Sequence, residues 1–202
     1  MEHLNVQKHL YIELKPNLCV LYKLKLMKIE QSKTFVPKFL AGICGLGILA
    51  TTTPSLAETP RVGQWYYIQA RHSGQCLNVL NQGQNNGDNV VQGTNCNNIN
   101  FQWRLIPAGN GYFFLQARHS GQCLNVLNFG RNNGDNVVQG SNCKDKNFQW
   151  HVILQTDGYF LLQARNSGQC LNVLNSGRKN GDNVVQGSSC EGLNFQWLFR
   201  KV

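Results

Sequence analysis

Residues 112–150 read YFFLQARHSGQCLNVLNFGRNNGDNVVQGSNCKDKNFQW, and the pattern occurs three times in the chain. One copy precedes this stretch, and another follows from Tyr159. Cys76, Cys123 and Cys170 are 47 residues apart, as are Cys96, Cys143 and Cys190, and Trp103, Trp150 and Trp197. Aligned without gaps from Tyr112 and Tyr159, the second and third copies match at 31 of 43 positions. A fixed period of this length means one supersecondary unit used repeatedly, so the fold depends on how three units close on one another. The repeats run over about residues 62–108, 109–155 and 156–202.

Inside a unit every local signal is for strands. YFFLQAR begins aromatic and apolar, as strands prefer. In Cys123-Leu124-Asn125-Val126, a period of two puts Leu124 and Val126 on one face and Cys123 and Asn125 on the other. Asn133-Gly134, like Asn86-Gly87 and Asn180-Gly181, signals a hairpin turn leading into NVVQG. A last strand carries Phe-Gln-Trp and the residues after it, and no 11-residue window has a helical period. Four short strands per unit predict about twelve in an all-β domain. A propeller usually needs at least four blades, and a solenoid needs distinct end caps. Closure of three four-stranded units around one axis is the economical arrangement, since it leaves few free sheet edges.

Outward from the repeats, the chain changes character. Residues 1–57 share nothing with them. Lys28, Lys33 and Lys38 precede the apolar or small run Phe39–Ala50, and Ser55-Leu56-Ala57 ends in a small residue. This reads as a secretory signal cut after Ala57. The run is shorter than the roughly 18–20 residues that span a bilayer, so no stable membrane span is expected after cleavage. Cys44 follows Ile43 rather than a small residue, which disfavours a lipoprotein. Met27 opens a well-proportioned signal of its own, and translation is expected to begin there. The mature domain is then 58–202.

Cysteine usage agrees with export. With Cys19 and Cys44 in the leader, six cysteines remain, two per unit. Six permit 15 pairings, and unit equivalence makes Cys76–Cys96, Cys123–Cys143 and Cys170–Cys190 the simplest solution. No CxxC or Cys/His cluster supports zinc, so no metal or other cofactor is expected. Disulfides require an oxidising compartment, hence a secreted or periplasmic protein.

Charged residues make up only 14% of the chain, while neutral amides are abundant, which suits a neutral polar ligand. The formal charge of +9 divides into +4 over residues 1–57 (7 Lys against 3 Asp/Glu) and +5 over 58–202 (12 Lys/Arg against 7 Asp/Glu). The repeats hold no Lys/Arg run, so nucleic acid is not expected as a partner.

SGQCLNV, then GDNVVQ, a second Cys and NFQW together resemble the repeat of the ricin-type β-trefoil lectins, seen also as sugar-binding modules of many bacterial glycosidases. The resemblance covers about residues 62–202, three times over. It implies a β-trefoil, a six-stranded barrel capped by three hairpins, with the cysteine pair bridged within each unit. It also implies up to three shallow carbohydrate sites. The family's acidic residue two after the first cysteine is matched by Asn78, Asn125 and Asn172. Its third-strand Gln is matched by Gln92, Gln139 and Gln186, and its Asn three before the Trp by Asn100, Asn147 and Asn194. Two positions depart in every unit. Thr94, Ser141 and Ser188 stand where an aromatic platform is expected, and Phe101, Phe148 and Phe195 replace the Gln of Gln-x-Trp.

Sugar hydroxyls donate and accept, and Asn and Gln amides do both. A carboxylate would accept with charge-assisted strength, which the amide at Asn125 forgoes. Without an aromatic platform the ring also loses its orienting apolar contact. Each site is therefore expected to be weak, about millimolar or roughly −4 kcal/mol, and three on one body are expected to act together. The same Asn and Gln set would also serve to buttress turns and strand ends. Asp88, Asp135 and Asp182 are read first as turn stabilisers and second as additional carboxylates for a sugar. The Trp and Phe of the repeat are read as core. His72 and His119 become Asn166 in the third unit, so no shared role is expected there, and His151 is read as a surface residue.

The expected function is that of a secreted, monomeric, non-catalytic lectin for glycans or polysaccharides, with galactose-like or xylan-like sugars suggested by the resemblance. No Ser/His/Asp set or paired-carboxylate motif accompanies the repeats. The alternative is a trefoil acting as a protein ligand or protease inhibitor. It would need one distinctive loop, whereas the units are nearly identical.

Overall fold

The computed structural model describes residues 59–155 and 157–202. The leader over residues 1–57, the start at Met27, the cleavage after Ala57, Cys19 and Cys44 lie outside the described residues. The twelve expected strands are present. The first unit contributes β1 (Trp65–Ala70), β2 (Cys76–Val79), β3 (Val90–Gly93) and β4 (Gln102–Gly109). The second contributes β5 (Tyr112–Ala117), β6 (Cys123–Val126), β7 (Val137–Gly140) and β8 (Trp150–Leu154). The third contributes β9 (Phe160–Ala164), β10 (Cys170–Val173), β11 (Val184–Gly187) and β12 (Trp197–Lys201). Short 3-10 turns are the only helical elements among the described residues.

Six strands close a ring by antiparallel pairing: β1 with β4, β4 with β5, β5 with β8, β8 with β9, β9 with β12, and β12 back to β1. A closed ring leaves no free edge, which solves the exposure problem of an all-β chain. The remaining strands form three hairpins, β2–β3, β6–β7 and β10–β11, each with four residue pairs in register. Each hairpin hangs from its barrel strand through one pair, Gln69–Cys76, Gln116–Cys123 or Gln163–Cys170. A six-stranded barrel capped by three hairpins is the β-trefoil.

The barrel's interior follows from strand alternation. Along β1 every second residue is buried, so Ile68 and Ala70 face inward. Ile68, Leu105, Leu115 and Leu162 meet the fully buried Trp103, Trp150 and Trp197 at the centre. Each indole also donates from Nε1 to the carbonyl of Leu77, Leu124 or Leu171 at 2.9–3.0 Å, which fastens a hairpin to the barrel. The cap strands depart from simple two-faced alternation, since all four residues of β2, β6 and β10 are buried. One face fills the core and the other lies under the loops of its own unit.

The hairpins join on the pseudo-threefold axis. Asn89, Asn136 and Asn183 form a closed ring in which each Nδ2 donates to the next Oδ1 at 2.8–2.9 Å. Bridges Asn89–Val138, Asn136–Val185 and Val91–Asn183 run beside it. Three uncharged amides thus satisfy one another where the units meet.

The structure contains the disulfides Cys76–Cys96, Cys123–Cys143 and Cys170–Cys190, with Cα separations of 5.6, 5.6 and 5.2 Å. Each closes a loop of 20 residues. Replacing Cys123 and Cys143 together by alanine should cost about 3 kcal/mol, by release of loop-closure entropy in the unfolded chain. Urea denaturation measures this, and an unchanged midpoint would assign the loop's order to its hydrogen bonds instead.

Candidate functional site

Three hollows open beside the hairpins, one per unit, with volumes of about 210, 260 and 260 Å³. Their floors are built alike. Phe101, Phe148 and Phe195 are nearly buried, and each ring lies against the glycine that ends the third strand of its unit. A Cβ on Gly140 would stand 2.8 Å from both Asn125 Nδ2 and the Phe148 ring. Glycine is required there by close approach. The phenylalanine that replaces the family's Gln therefore forms a hydrophobic floor, at the end of a 3-10 turn rather than inside the last strand as expected.

Asn78, Asn125 and Asn172 line these hollows but are only about 5% exposed. Asn125 Nδ2 donates to the Val138 carbonyl at 3.2 Å, and its Oδ1 accepts from Asn147 Nδ2 at 3.4 Å. Asn147 Nδ2 also donates to the Val126 carbonyl at 3.0 Å. The corresponding bonds join Asn78 to Asn100 and Asn172 to Asn194. Oδ1 of Asn100 and of Asn147 is buried and has no partner among the described residues. Both residues line their hollows, so each is a side chain with an unused acceptor beside the opening.

Gln92, Gln139 and Gln186 also touch the hollows, but they are fully buried and their polar atoms are engaged elsewhere. Gln139 Oε1 accepts from Ser120 Oγ at 2.7 Å, while Nε2 donates to the carbonyls of Gly83 and Asn85 at 2.9 and 3.1 Å. Those carbonyls belong to the preceding unit. The same arrangement recurs at Gln92, and Gln186 accepts from Ser167 Oγ and donates to the Asn132 carbonyl. Asp88, Asp135 and Asp182 do not line the hollows. Their Oδ2 atoms accept from the backbone N–H of Asn85, Asn132 and Lys179 at 2.6–2.7 Å, each bracing its own turn.

His72, His119 and Asn166 require a correction to the sequence reading. They do share a role: His72 Nε2 meets the Gly177 carbonyl and His119 Nε2 the Gly83 carbonyl, both at 2.7 Å, and Asn166 Nδ2 donates to the Gly130 carbonyl at 2.9 Å. An amide nitrogen reaches the same place as an imidazole nitrogen, which identity alone could not reveal.

Each hollow is shared between two units. The first is completed by Asn180 and Gly181 of the third unit, the second by Asn86 and Gly87 of the first, and the third by Asn133 and Gly134 of the second. The Asn side chain of each pair accepts from the backbone N–H of Thr94, Ser141 or Ser188 at 3.1 Å. Gly87, Gly134 and Gly181 have φ of +89 to +91°, so the Asn-Gly pair both turns its hairpin and walls its neighbour's hollow. The second role was invisible in the sequence, because it depends on packing between units.

The rims differ. At the 3-10 turn the chain carries Gln82 in the first unit, Phe129 in the second and Ser176 in the third. Phe129 is 52% exposed and lines the second hollow. Two residues after the second cysteine stand Asn98, Asp145 and Gly192 in turn. Asp145 lines the second hollow, and the linings of the first and third contain no charged residue. Among the described residues, no three His, Cys, Asp or Glu side chains come together to hold a metal ion.

Comparison with known proteins agrees with this geometry. The family model described as ricin-type beta-trefoil lectin domain-like matches residues 55–140, 111–187 and 146–202. The designed threefold-symmetric protein ThreeFoil is 42% identical, with a TM-score of 0.67 over 68% of this chain and 99% of its own. An exo-β-1,3-galactanase from Clostridium thermocellum is 26% identical, with a TM-score of 0.68 over 72% of this chain and 32% of that enzyme. A ricin B-like lectin from Macrolepiota procera, solved in complex with lactose, has the same fold at 18% identity and a TM-score of 0.63, over 72% of this chain and 100% of its own. No curated protein matches the chain.

Proposed function

Because the chain belongs to the family of ricin-type β-trefoil lectin domain-like proteins, we propose that it is a secreted, non-catalytic carbohydrate-binding protein whose three hollows each take a sugar. The observation that carries this reading is the threefold recurrence of an amide-lined hollow at one place in the unit. A catalytic centre needs one set of distinctive groups, whereas three near-copies of a shallow polar recess suit a ligand that repeats.

The chemistry of the recess fits a saccharide. Its volume is below the about 300–1,000 Å³ of clefts for drug-sized ligands, which suits a small ligand such as a single sugar ring. Asn78, Asn100 and their counterparts set neutral acceptors at the floor, and exposed Asn81, Asn95 and Asn128 stand at the mouth. We assign Asn78, Asn100, Asn125, Asn147, Asn172 and Asn194 to direct contact with the sugar. Gln92, Gln139 and Gln186 hold the hollow in shape. Galactose-like or xylan-like glycans are the proposed partners, the first supported by the lectin solved with lactose. The three disulfides support an oxidising compartment, and a monomer bearing three sites needs no assembly to be multivalent.

The test is a glycan array probed with residues 58–202 at two glycan densities. Galactose- or xylose-containing glycans should capture the protein, with apparent affinity rising about 10²-fold or more at the higher density as several hollows engage together. If no glycan retains the protein at high density, the reading is wrong and a protein target is favoured.

A further inference from the structure

The three units differ where a sugar would meet them, and the differences converge on one hollow. We propose that the second hollow is the principal saccharide site, in which Phe129 stacks on the apolar face of a pyranose ring and Asp145 accepts hydrogen bonds from its hydroxyls. This rests on the saccharide reading above and adds to it an inequality among the sites.

Phe129 occupies an unusual position for its type. It is a large aromatic residue with φ of +55°, the left-handed region that bulky L-residues rarely adopt. Gln82 and Ser176 hold the same conformation at φ of 54 and 53°, so the turn belongs to the fold. What belongs to the second unit is the ring placed on it. Half exposed at the wall of a polar hollow, the ring contributes little to the core. An aromatic face in that position suits the C–H side of a sugar ring. Ser141, two residues before the second cysteine, also lines the hollow but offers no such face.

Asp145 supplies a carboxylate to the same recess. Its Oδ2 accepts from Asn142 Nδ2 at 2.6 Å, which fixes the side chain and leaves Oδ1 without a donor among the described residues. A carboxylate oxygen accepts from a hydroxyl more strongly than an amide does. The opposite wall comes from Asn86 and Gly87 of the first unit, and the floor from Phe148 with the unused Oδ1 of Asn147. The first hollow has Gln82 and Asn98 at these places, and the third unit has Ser176 and Gly192. Only the second unit combines an apolar face with an anionic acceptor. The ligand class that follows is a pyranoside with one exposed C–H face and hydroxyls along the adjoining edge.

The natural exchanges between units provide variants that the fold already accommodates. Backbone amides of Gly181, Gly87 and Gly134 report on the first, second and third hollows in a ¹H–¹⁵N titration of residues 58–202 with lactose and, separately, with xylotriose. For at least one of these sugars, the Gly87 signal should saturate at about tenfold lower concentration than those of Gly181 and Gly134. Phe129→Ser, the third unit's residue, and Asp145→Asn, the first unit's, should each remove that advantage and leave the other two glycines unmoved. Gln82→Phe combined with Asn98→Asp should confer it on Gly181. The proposal is overturned if the three glycines titrate together in the unaltered protein, or if both single variants leave Gly87 unchanged; binding in all three hollows would then still support the saccharide reading. If neither sugar shifts any of the three, that reading falls too.

Discussion

Trp150→Ala should cost this domain about 5 kcal/mol, enough to leave much of it unfolded. The indole is fully buried at the centre of the barrel, where neighbouring side chains relax only partly into the space it would vacate. Truncations of this kind cost about 3–5 kcal/mol in transfer and cavity terms. A second term comes from the Leu124 carbonyl, which accepts from Trp150 Nε1 at 3.0 Å and would be left buried without a donor. An orphaned buried acceptor costs about 1–3 kcal/mol more. Domains of this size are stable by only about 5–15 kcal/mol in total. Trp150→Phe separates the two contributions, since it keeps most of the ring and removes the donor, and should cost about 2 kcal/mol. Urea denaturation followed by near-ultraviolet circular dichroism distinguishes them. Equal losses in the two variants would show that the hydrogen bond, and not the filling of the barrel, governs the site.

Gln139→Leu has the second largest expected effect, a loss of about 3 kcal/mol, although leucine is similar in size and more apolar. The side chain is fully buried at the junction of two units. It takes the Ser120 hydroxyl and supplies a donor to two carbonyls of the preceding unit, at Gly83 and Asn85. Leucine would satisfy none of them, and a buried polar group left unpaired loses about 1–3 kcal/mol. Part of the loss is limited because His119 also reaches the Gly83 carbonyl. Thermal unfolding with Gln122→Leu as the control measures the difference, since Gln122 makes one comparable bond, to the Gln84 carbonyl. If the two variants melt together, the junction does not depend on Gln139.

These two residues show what repetition in a sequence makes visible. Trp103, Trp150 and Trp197 recur at one spacing and are apolar, so their place in a common core follows from pattern alone. Gln92, Gln139 and Gln186 recur just as strictly, yet a recurring amide suits a ligand site or an internal tie equally well. The carbonyls that their Nε2 atoms reach lie in another unit, 54–87 residues away, and no local pattern records them. The Asn-Gly turns behave alike, being legible as turns and illegible as walls of the neighbouring hollow.

Twelve strands, three equivalent units and the likeness to the trefoil lectins were determined by the sequence, because strand period, turn chemistry and a repeated spacing are local properties that the chain carries before it folds. The within-unit cysteine pairs were the simplest reading of that spacing, and the fold brings each pair within 5.2–5.6 Å. Tertiary structure alone decided which amides face an opening and which are consumed inside, since a side chain's free donors and acceptors depend on neighbours distant in sequence. It also brought Phe129 and Asp145 into one hollow, where two unremarkable departures from the repeat become adjacent groups.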